Sequence, residues 1–280
     1  MADMRSWGFS KGHGTQNDFI LLRDRTNSTP LSADDVRFLC DRRRGIGADG
    51  VIRAVKAEFM PEWEGDPGLW FMDYRNSDGS IAEMCGNGLR VYARFLLDQD
   101  YVNNPEMDIA TRAGVHHVTE LSDGRFMVDL GMVQVAPRTT AVNLAGQVFQ
   151  AISVNVGNPH AVVLLPDEVN LSELKVPAQP VVDPQVFPSG ANVEFVHVVD
   201  RHFLQMRVHE RGSGETLSCG TGVVASAAAQ ASRLGEDGCF AVQVPGGDLD
   251  VEIDGDTAHL IGPAVIVATG TVLLPDRPRR

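Results

Sequence analysis

The stretch MCGNGLRVYARFLL, residues 84–97, and the stretch SCGTGVVASAAAQA, residues 218–231, decide how this sequence is organised. Both contain Cys-Gly-x-Gly followed at once by a segment rich in apolar or small residues. The two cysteines, Cys85 and Cys219, lie 134 positions apart, and a polar residue stands nine positions before each of them. The match of motif and setting indicates an internal repeat.

Both segments that follow the motif have the pattern of a helix packed inside a domain. Leu89, Tyr92, Ala93 and Leu96 recur at helical spacing. Residues 223–232 contain no charged side chain, which is typical of a helix buried on nearly all sides. Each half of the chain is therefore predicted to form a domain around one central helix, with its cysteine at or just before the first turn.

A cysteine at that position has an electrostatic reason to ionise. The first turn of a helix leaves backbone N–H groups without helical partners and carries about half a positive charge. This environment stabilises a thiolate and lowers the thiol pKa, so the cysteine can act as a base or nucleophile near neutral pH. The following glycines give a ligand close access to the N–H groups, which predicts a site for a carboxylate.

Two such thiols, one from each half, favour stereoinversion at a carbon acid. A thiolate on one face removes the proton and a thiol on the other face returns one, and this needs no metal or cofactor. Helix N–H groups would stabilise the negative charge that develops in the adjacent carboxylate, and positioned acids and bases add further rate. The active site is therefore expected in the cleft between the two domains.

Composition excludes several other classes of protein. A length of 280 residues suggests two domains. The formal charge of −13 argues against nucleic acid or an anionic membrane surface as a partner. No apolar run reaches the roughly 18 residues of a membrane span, and the first eight residues lack the apolar core of a secretory signal. We expect a cytoplasmic protein.

The two cysteine motifs resemble the signature blocks of the diaminopimelate epimerase family. The second block extends over ERGSGETLSCGTG, residues 210–222. Further segments similar to the family lie at residues 12–20, 73–80, 156–160, 190–194 and 262–264. The resemblance thus covers nearly the whole chain.

The resemblance implies an α/β fold of the α+β type with two pseudo-symmetric domains. Each domain would be a mostly antiparallel or mixed sheet wrapped around its central buried helix. We place the first domain at residues 1–134, completed by a returning strand at about 268–280, and the second at residues 135–267. A homodimer is also expected.

The implied activity is a cofactor-independent epimerisation that interconverts LL- and meso-2,6-diaminopimelate, on the route to lysine and peptidoglycan. By this resemblance Cys85 and Cys219 are the base and acid pair, with Cys85 acting on the LL isomer and Cys219 on the meso isomer. His160 and Glu210 match residues that tune the thiol pKa values in the family.

Substrate recognition needs donors for two carboxylates and acceptors for two ammonium groups. Asparagine offers both functions, arginine grips a carboxylate, and glutamate accepts from an ammonium. The residues implied in binding by side chain or backbone are Asn17, Asn76, Gly86, Asn87, Asn158, Asn192, Glu210, Arg211, Gly220 and Thr221.

The segment GIGADG, residues 45–50, departs from the family, because some members carry a substrate-binding Gln where this chain has Gly50. The segment also matches the G-x-G-x-x-G pattern of dinucleotide-binding sites. A strand-like run, Val51–Val55, follows it in place of a helix, so we expect no nucleotide site there.

Two other functions stay open at this point. A related racemase could act on proline or histidine, although proline racemases usually have His where this chain has Asn87. Asn158, Asn192 and Arg211 favour a substrate with a second zwitterionic end. The other alternative is a non-enzymatic redox switch, in which the two thiols join reversibly as a disulfide.

The remaining cysteines, Cys40 and Cys239, are interpreted as small buried residues. Residues 245–247, Pro-Gly-Gly, predict a hairpin turn between two strands.

Overall fold

The computed structural model describes residues 5–274. Their contacts divide them into two compact units, the first made of residues 5–128 and 263–274, and the second of residues 129–262. Each unit is described by itself below.

These boundaries differ by a few residues from the domain bounds expected from the sequence, which stay predictions. The N–H of Val133 donates to the carbonyl of Asp256 at 2.7 Å, which ties the chain after residue 128 to the second unit. The returning strand begins at Val265, where it pairs with His13, so the return starts before residue 268. Residues 1–4 and 275–280 of the expected domains lie outside the described residues.

Three α-helices and eighteen strands are found among the described residues. The helices are α1 (Ala33–Cys40), α2 (Gly86–Asp98) and α3 (Gly220–Leu234). The strands are β1 (Arg5–Gly14), β2 (Asn17–Arg23), β3 (Gly50–Lys56), β4 (Trp70–Asn76), β5 (Glu106–Thr111), β6 (Gly114–Glu120), β7 (Phe126–Met132), β8 (Gln134–Leu144), β9 (Gln147–Asn155), β10 (Pro159–Leu164), β11 (Val181–Val182), β12 (Asn192–Asp200), β13 (Phe203–Glu210), β14 (Gly214–Thr216), β15 (Gly238–Val244), β16 (Gly247–Asp254), β17 (Thr257–Gly262) and β18 (Val265–Leu274).

The first unit is a mixed sheet in the order β18-β1-β2-β3-β4-β5-β6-β7, to which β7 contributes residues 126–128. The pairs β2 with β3 and β4 with β5 are parallel, and the other neighbours are antiparallel. The helix α2 connects β4 to β5, as a parallel pair requires a crossover.

The second unit repeats this pattern in the order β8-β9-β10-β12-β13-β15-β16-β17. Here β10 with β12 and β13 with β15 are the parallel pairs, and the remaining neighbours are antiparallel. The short strands β11 and β14 are additions that pair with β8 and β13. The helix α3 connects β13 to β15. The predicted internal repeat and the α+β fold are therefore confirmed.

The central helices are buried as the sequence predicts. All residues of α2 from Gly86 to Ala93 are buried, and α3 is buried from Val223 to Ala231. The N-cap residues of the two helices are Cys85 and Cys219. Each helix therefore presents its unsatisfied first N–H groups beside a cysteine.

Strand topology brings the polar residues of each unit to one edge of its sheet. In the first unit Asn17 starts β2, Gly50 starts β3 and Asn76 ends β4. Parallel neighbours start at the same edge, and an antiparallel neighbour ends there. The second unit places Asn192 at the start of β12 and Glu210 at the end of β13 in the same way.

Three smaller predictions have definite outcomes. Cys40 is buried, and burial raises the pKa of its thiol to about 12. Cys239 is exposed, so its prediction as a buried residue was wrong: it lies on β15, where the alternating side chains face outward at this position. The hairpin turn is confirmed, because Val244 pairs with Gly247 across residues 245–246.

Among the described residues, no helix is long and apolar enough to cross a membrane.

Candidate functional site

The first cluster surrounds Cys85 and consists of Asn17, Asp49, Cys85, Asn87 and Arg90. The Cys85 sulfur lies 3.8 Å from the amide oxygen of Asn17, which accepts from the thiol. The same oxygen accepts from Nδ2 of Asn87 at 3.3 Å. Asn17 donates through Nδ2 to Asp49 Oδ2 at 2.9 Å. Asp49 thereby fixes which end of the Asn17 amide faces the thiol.

Arg90 is a member of this cluster that sequence reasoning missed. It lies in α2, is fully buried, and donates to the side chain of Asn87 at 3.0 Å and to Thr15 at 3.4 Å. Its Nη1 has no hydrogen-bond partner among the described residues. Burial lowers the pKa of Arg90 to about 10, and the negative charge of an ionised Cys85 acts in the opposite direction. A buried guanidinium with neutral partners therefore makes the surroundings of Cys85 more positive.

The two other first-unit positions singled out in the sequence are Asn76 and Gly50. Asn76 donates through Nδ2 to Ser80 Oγ at 3.0 Å, at the turn after β4. At Gly50 an added Cβ would lie 2.5 Å from Cε2 of Tyr74 and 2.7 Å from the carbonyl of Arg75. The Tyr74 ring and the Arg75 carbonyl thus occupy the space that a side chain at residue 50 would need.

The second cluster surrounds Cys219 and consists of Asn158, His160, Glu194, Cys219 and Thr221. The Cys219 sulfur lies 3.6 Å from the hydroxyl oxygen of Thr221. Thr221 accepts from Nδ2 of Asn158 at 3.4 Å. His160 is fully buried, with Nε2 2.9 Å from Asn158 Oδ1 and Nδ1 2.7 Å from Glu194 Oε1. A continuous chain of polar contacts thus joins Glu194 to Cys219.

The acidity of Cys219 is opposite to the prediction from its place on the helix. Burial, followed by the negative charges of Glu210 and Glu194, raises the pKa of the thiol well above its ordinary value. Hydrogen bonds from the Thr221 hydroxyl and the Gly222 N–H act in the other direction but are outweighed. The expected lowering of the pKa at a helix N-terminus is therefore wrong for Cys219, because desolvation and two carboxylates exceed the helix contribution.

Glu210, Arg211 and Asn192 lie together at the edge of the second sheet. The Asn192 side chain accepts from the backbone N–H of Arg211 at 2.9 Å. The Arg211 guanidinium is exposed and donates to the carbonyl of Ser189 at 3.1 Å. Arg211 forms no ion pair with a carboxylate among the described residues, so its charge is available to an anionic ligand. Glu210 accepts from the hydroxyl of Thr216.

The backbone donors predicted from the motif are in place in both helices. The first intrahelical bonds run from Leu89 N–H to Cys85 O and from Val223 N–H to Cys219 O, each at 2.9 Å. The N–H groups of Gly86, Asn87, Gly220 and Thr221 therefore precede the helical hydrogen-bond ladder and point outward from the helix start. This arrangement can bind a carboxylate.

Each unit thus gathers its own predicted residues. Asn17, Gly86 and Asn87 lie around the start of α2, and Asn76 lies at the end of β4 beside Gly50. The corresponding edge of the second unit holds Asn158, His160, Asn192, Glu210, Arg211, Gly220 and Thr221. Sequence reasoning missed Asp49, Arg90 and Glu194. Of these three, only Glu194 could have been noticed in the sequence, because it is a carboxylate within the otherwise apolar run VEFV, residues 193–196.

Sequence comparison identifies the relatives of this chain. A family profile described as diaminopimelate epimerase matches residues 9–136 and 152–274. The chain belongs to the diaminopimelate epimerase family. It is 45% identical over 271 residues to the diaminopimelate epimerase of Corynebacterium glutamicum strain R, covering 94% of this chain and 97% of that protein. The diaminopimelate epimerase of Thermobifida fusca is 46% identical over 272 residues, covering 95% and 98%.

Solved structures show the same fold at low sequence identity. A phenazine biosynthesis protein of the PhzF family from Bacillus anthracis matches with a TM-score of 0.68 at 15% identity, covering 97% of this chain and 100% of that chain. A hydroxyproline epimerase from Agrobacterium vitis, with trans-4-hydroxy-L-proline bound, matches with a TM-score of 0.67 at 15% identity, covering 99% and 95%. The fold of this chain is therefore also found in proteins outside the diaminopimelate epimerase family.

Proposed function

We propose that this protein interconverts LL- and meso-2,6-diaminopimelate, with Cys85 and Cys219 as the base and acid. The observation that carries the proposal is the repeated placement of a thiol at the N-cap of a buried helix, once in each unit, in a chain of the diaminopimelate epimerase family. An epimerase without a cofactor needs two such groups, because inversion adds the proton to the face opposite to the one that lost it.

In the proposed reaction the Cys85 thiolate takes the α-proton of the LL isomer. The C–H bond breaks, an S–H bond forms, and the electron pair enters the adjacent carboxylate. The Cys219 thiol then donates its proton to the other face of the carbon and becomes the thiolate. The meso isomer reacts in the reverse order, so no net electron transfer occurs.

The negative charge of the intermediate needs donors that are already oriented. The N–H groups of Gly86, Asn87, Gly220 and Thr221 are assigned to the reacting carboxylate. Their hydrogen bonds to its oxygens strengthen as negative charge develops there. Preorganised donors of this kind lower the barrier because they need no reorganisation during the reaction.

The other end of the substrate is assigned to the polar side chains. Arg211 is assigned to a carboxylate, since it forms no ion pair within residues 5–274, and Glu210 is assigned to an ammonium group. The amides of Asn17, Asn76, Asn158 and Asn192 supply both donors and acceptors. Groups that bind a second carboxylate and a second ammonium favour diaminopimelate over proline or histidine as the substrate.

The test is exchange of the substrate α-hydrogen with deuterium oxide, followed by proton NMR. The unmodified protein is expected to wash deuterium into LL- and meso-diaminopimelate while interconverting them, and to leave proline and histidine unchanged. Cys85→Ser and Cys219→Ser are each expected to slow interconversion by at least about a hundredfold, since each removes an acid–base group.

Cys239→Ser is the matched control, because Cys239 is exposed on β15, outside both clusters. It is expected to keep the unmodified rate. Interconversion of the two isomers at the unmodified rate in either Cys85→Ser or Cys219→Ser would overturn the two-base assignment, and exchange of proline or histidine in place of diaminopimelate would overturn the substrate. The homodimer and the cytoplasmic location expected from the sequence remain predictions.

A further inference from the structure

Glu194 is a buried carboxylate that the proposed mechanism does not use. It lies on β12 with 0% of its surface exposed. One oxygen, Oε1, faces Nδ1 of His160 at 2.7 Å, and the other, Oε2, is buried without a hydrogen-bond partner among the described residues. Placing a carboxylate in the interior is unfavourable unless it is paired, so the single contact to His160 calls for an explanation.

The carboxylate lies directly against the helix that begins at Cys219. A Cβ added to Gly222 would lie 2.6 Å from Glu194 Oε1, so the glycine is what lets the carboxylate approach the first turn of α3. Cys219 is the N-cap of the same turn. Glu194 therefore packs in the buried interior against the turn that Cys219 caps.

Glu194 also fixes the direction of the polar chain that leads to the thiol. An ionised carboxylate only accepts, so His160 must donate from Nδ1. Asn158 presents its oxygen to Nε2 of the ring and its amide nitrogen to Thr221 Oγ1. A hydroxyl that accepts from Asn158 is left with its proton for the Cys219 sulfur, 3.6 Å away. The arrangement therefore aims a donor at Cys219.

We propose that Glu194 is a positioning residue whose charge holds Cys219 in its thiol form in the resting enzyme and outweighs the hydroxyl donor that His160, Asn158 and Thr221 direct at the sulfur. Resting on the proposed function, this makes Cys219 the proton donor at the start of a cycle, so the free enzyme is prepared to react with the LL isomer. Glu194 does not touch the reacting atoms; it acts through its charge and through His160.

The groups that face Cys219 come from three strands of the second unit. Glu210 on β13 and Glu194 on β12 both act against ionisation. His160 on β10 reaches the thiol only through Asn158 and Thr221. Glu210 is partly exposed at the end of β13, whereas Glu194 is fully buried.

The experiment follows ionisation of each cysteine by NMR in the intact protein labelled with carbon-13 at cysteine Cβ, whose signal shifts when the thiolate forms. The Cys219 signal is assigned by its loss in Cys219→Ser. Glu194→Gln keeps the shape of the side chain and removes its charge, and is expected to move the Cys219 midpoint to lower pH by at least about one unit. Glu194→Asp keeps the charge and is expected to stay closer to the unmodified midpoint.

Cys40 and Cys239 serve as internal references, because neither belongs to the cluster and their signals should not move. The melting temperature of each variant shows whether it is folded. A Cys219 midpoint in folded Glu194→Gln that matches the unmodified protein, or lies at higher pH, would overturn the proposal. The NMR titration needs no turnover, so a failure of the epimerase assignment and a failure of the Glu194 assignment are seen separately.

Discussion

The hydroxyl oxygen of Thr221 lies 3.6 Å from the sulfur of Cys219, whereas the sulfur of Cys85 lies 3.8 Å from the amide oxygen of Asn17. A hydroxyl can donate to a thiolate, and an amide oxygen can only accept from a thiol. The two N-cap cysteines therefore have different hydrogen-bonding partners although their sequence motifs are nearly the same.

Removing the Thr221 hydroxyl should make Cys219 a weaker base. That hydroxyl lowers the pKa of Cys219, so Thr221→Val is expected to raise it further and to reduce the thiolate fraction at any given pH. In the proposed direction from meso to LL, Cys219 must be the thiolate. The rising limb of the kcat/KM profile for the meso isomer should therefore move to higher pH, with a loss of about tenfold near neutrality.

Thr221→Ser retains a hydroxyl and is the control, with a profile close to that of the unmodified protein. A Thr221→Val profile that coincides with the Thr221→Ser profile would show that the hydroxyl has no effect on Cys219.

Asp49 should matter because it orients Asn17. In Asp49→Asn the new amide can donate as well as accept, so Asn17 loses the partner that directs its Nδ2 away from Cys85. We expect kcat/KM to fall about tenfold with little change in melting temperature. Asp34→Asn is the matched control, because Asp34 is an exposed carboxylate that pairs with Arg37 on α1. Equal activity of the two variants would contradict the assignment.

Arg90 should be needed for activity as well as for stability. Arg90→Met removes a buried cation and its hydrogen bond to Asn87, and is expected to slow exchange of the LL isomer and to lower the free energy of unfolding by about 1–3 kcal/mol. Arg94→Met is the control on the same helix, since Arg94 is 38% exposed and pairs with Asp98 and Glu120. Deuterium exchange and chemical denaturation measure the two effects. An Arg90→Met protein with the exchange rate of the Arg94→Met control would leave Arg90 with a purely structural role.

The space at Gly50 should not accept a side chain. Gly50→Ala places a Cβ against Tyr74 and the carbonyl of Arg75, and is expected to destabilise the protein by about 1–3 kcal/mol. Gly8→Ala is the control, because the nearest atom to its added Cβ is 4.0 Å away. Thermal unfolding of both variants tests this, and equal melting temperatures would show that the Tyr74 ring moves aside.

Local sequence was sufficient for the features that depend on neighbours along the chain. The Cys-Gly-x-Gly motif followed by an apolar run predicts a helix start, and both cysteines are N-caps. The spacing between the motifs predicts a repeat, and the order of parallel and antiparallel pairs is the same in both units. Helix initiation and amphipathic pattern are set by residues within a few positions, so they can be inferred without a structure.

The tertiary structure decided the electrostatics around each thiol. The helix N-terminus favours a thiolate in both motifs, yet Cys219 is buried beside Glu194 and Glu210, which raise its pKa. Those carboxylates come from β12 and β13, and strand pairing alone brings them to the start of α3. Arg90 is buried in the same way, although an arginine in a helix is usually exposed. Sequence therefore determined where the two thiols stand, and packing determined how readily each one ionises, because desolvation and charge act through space between residues distant in the chain.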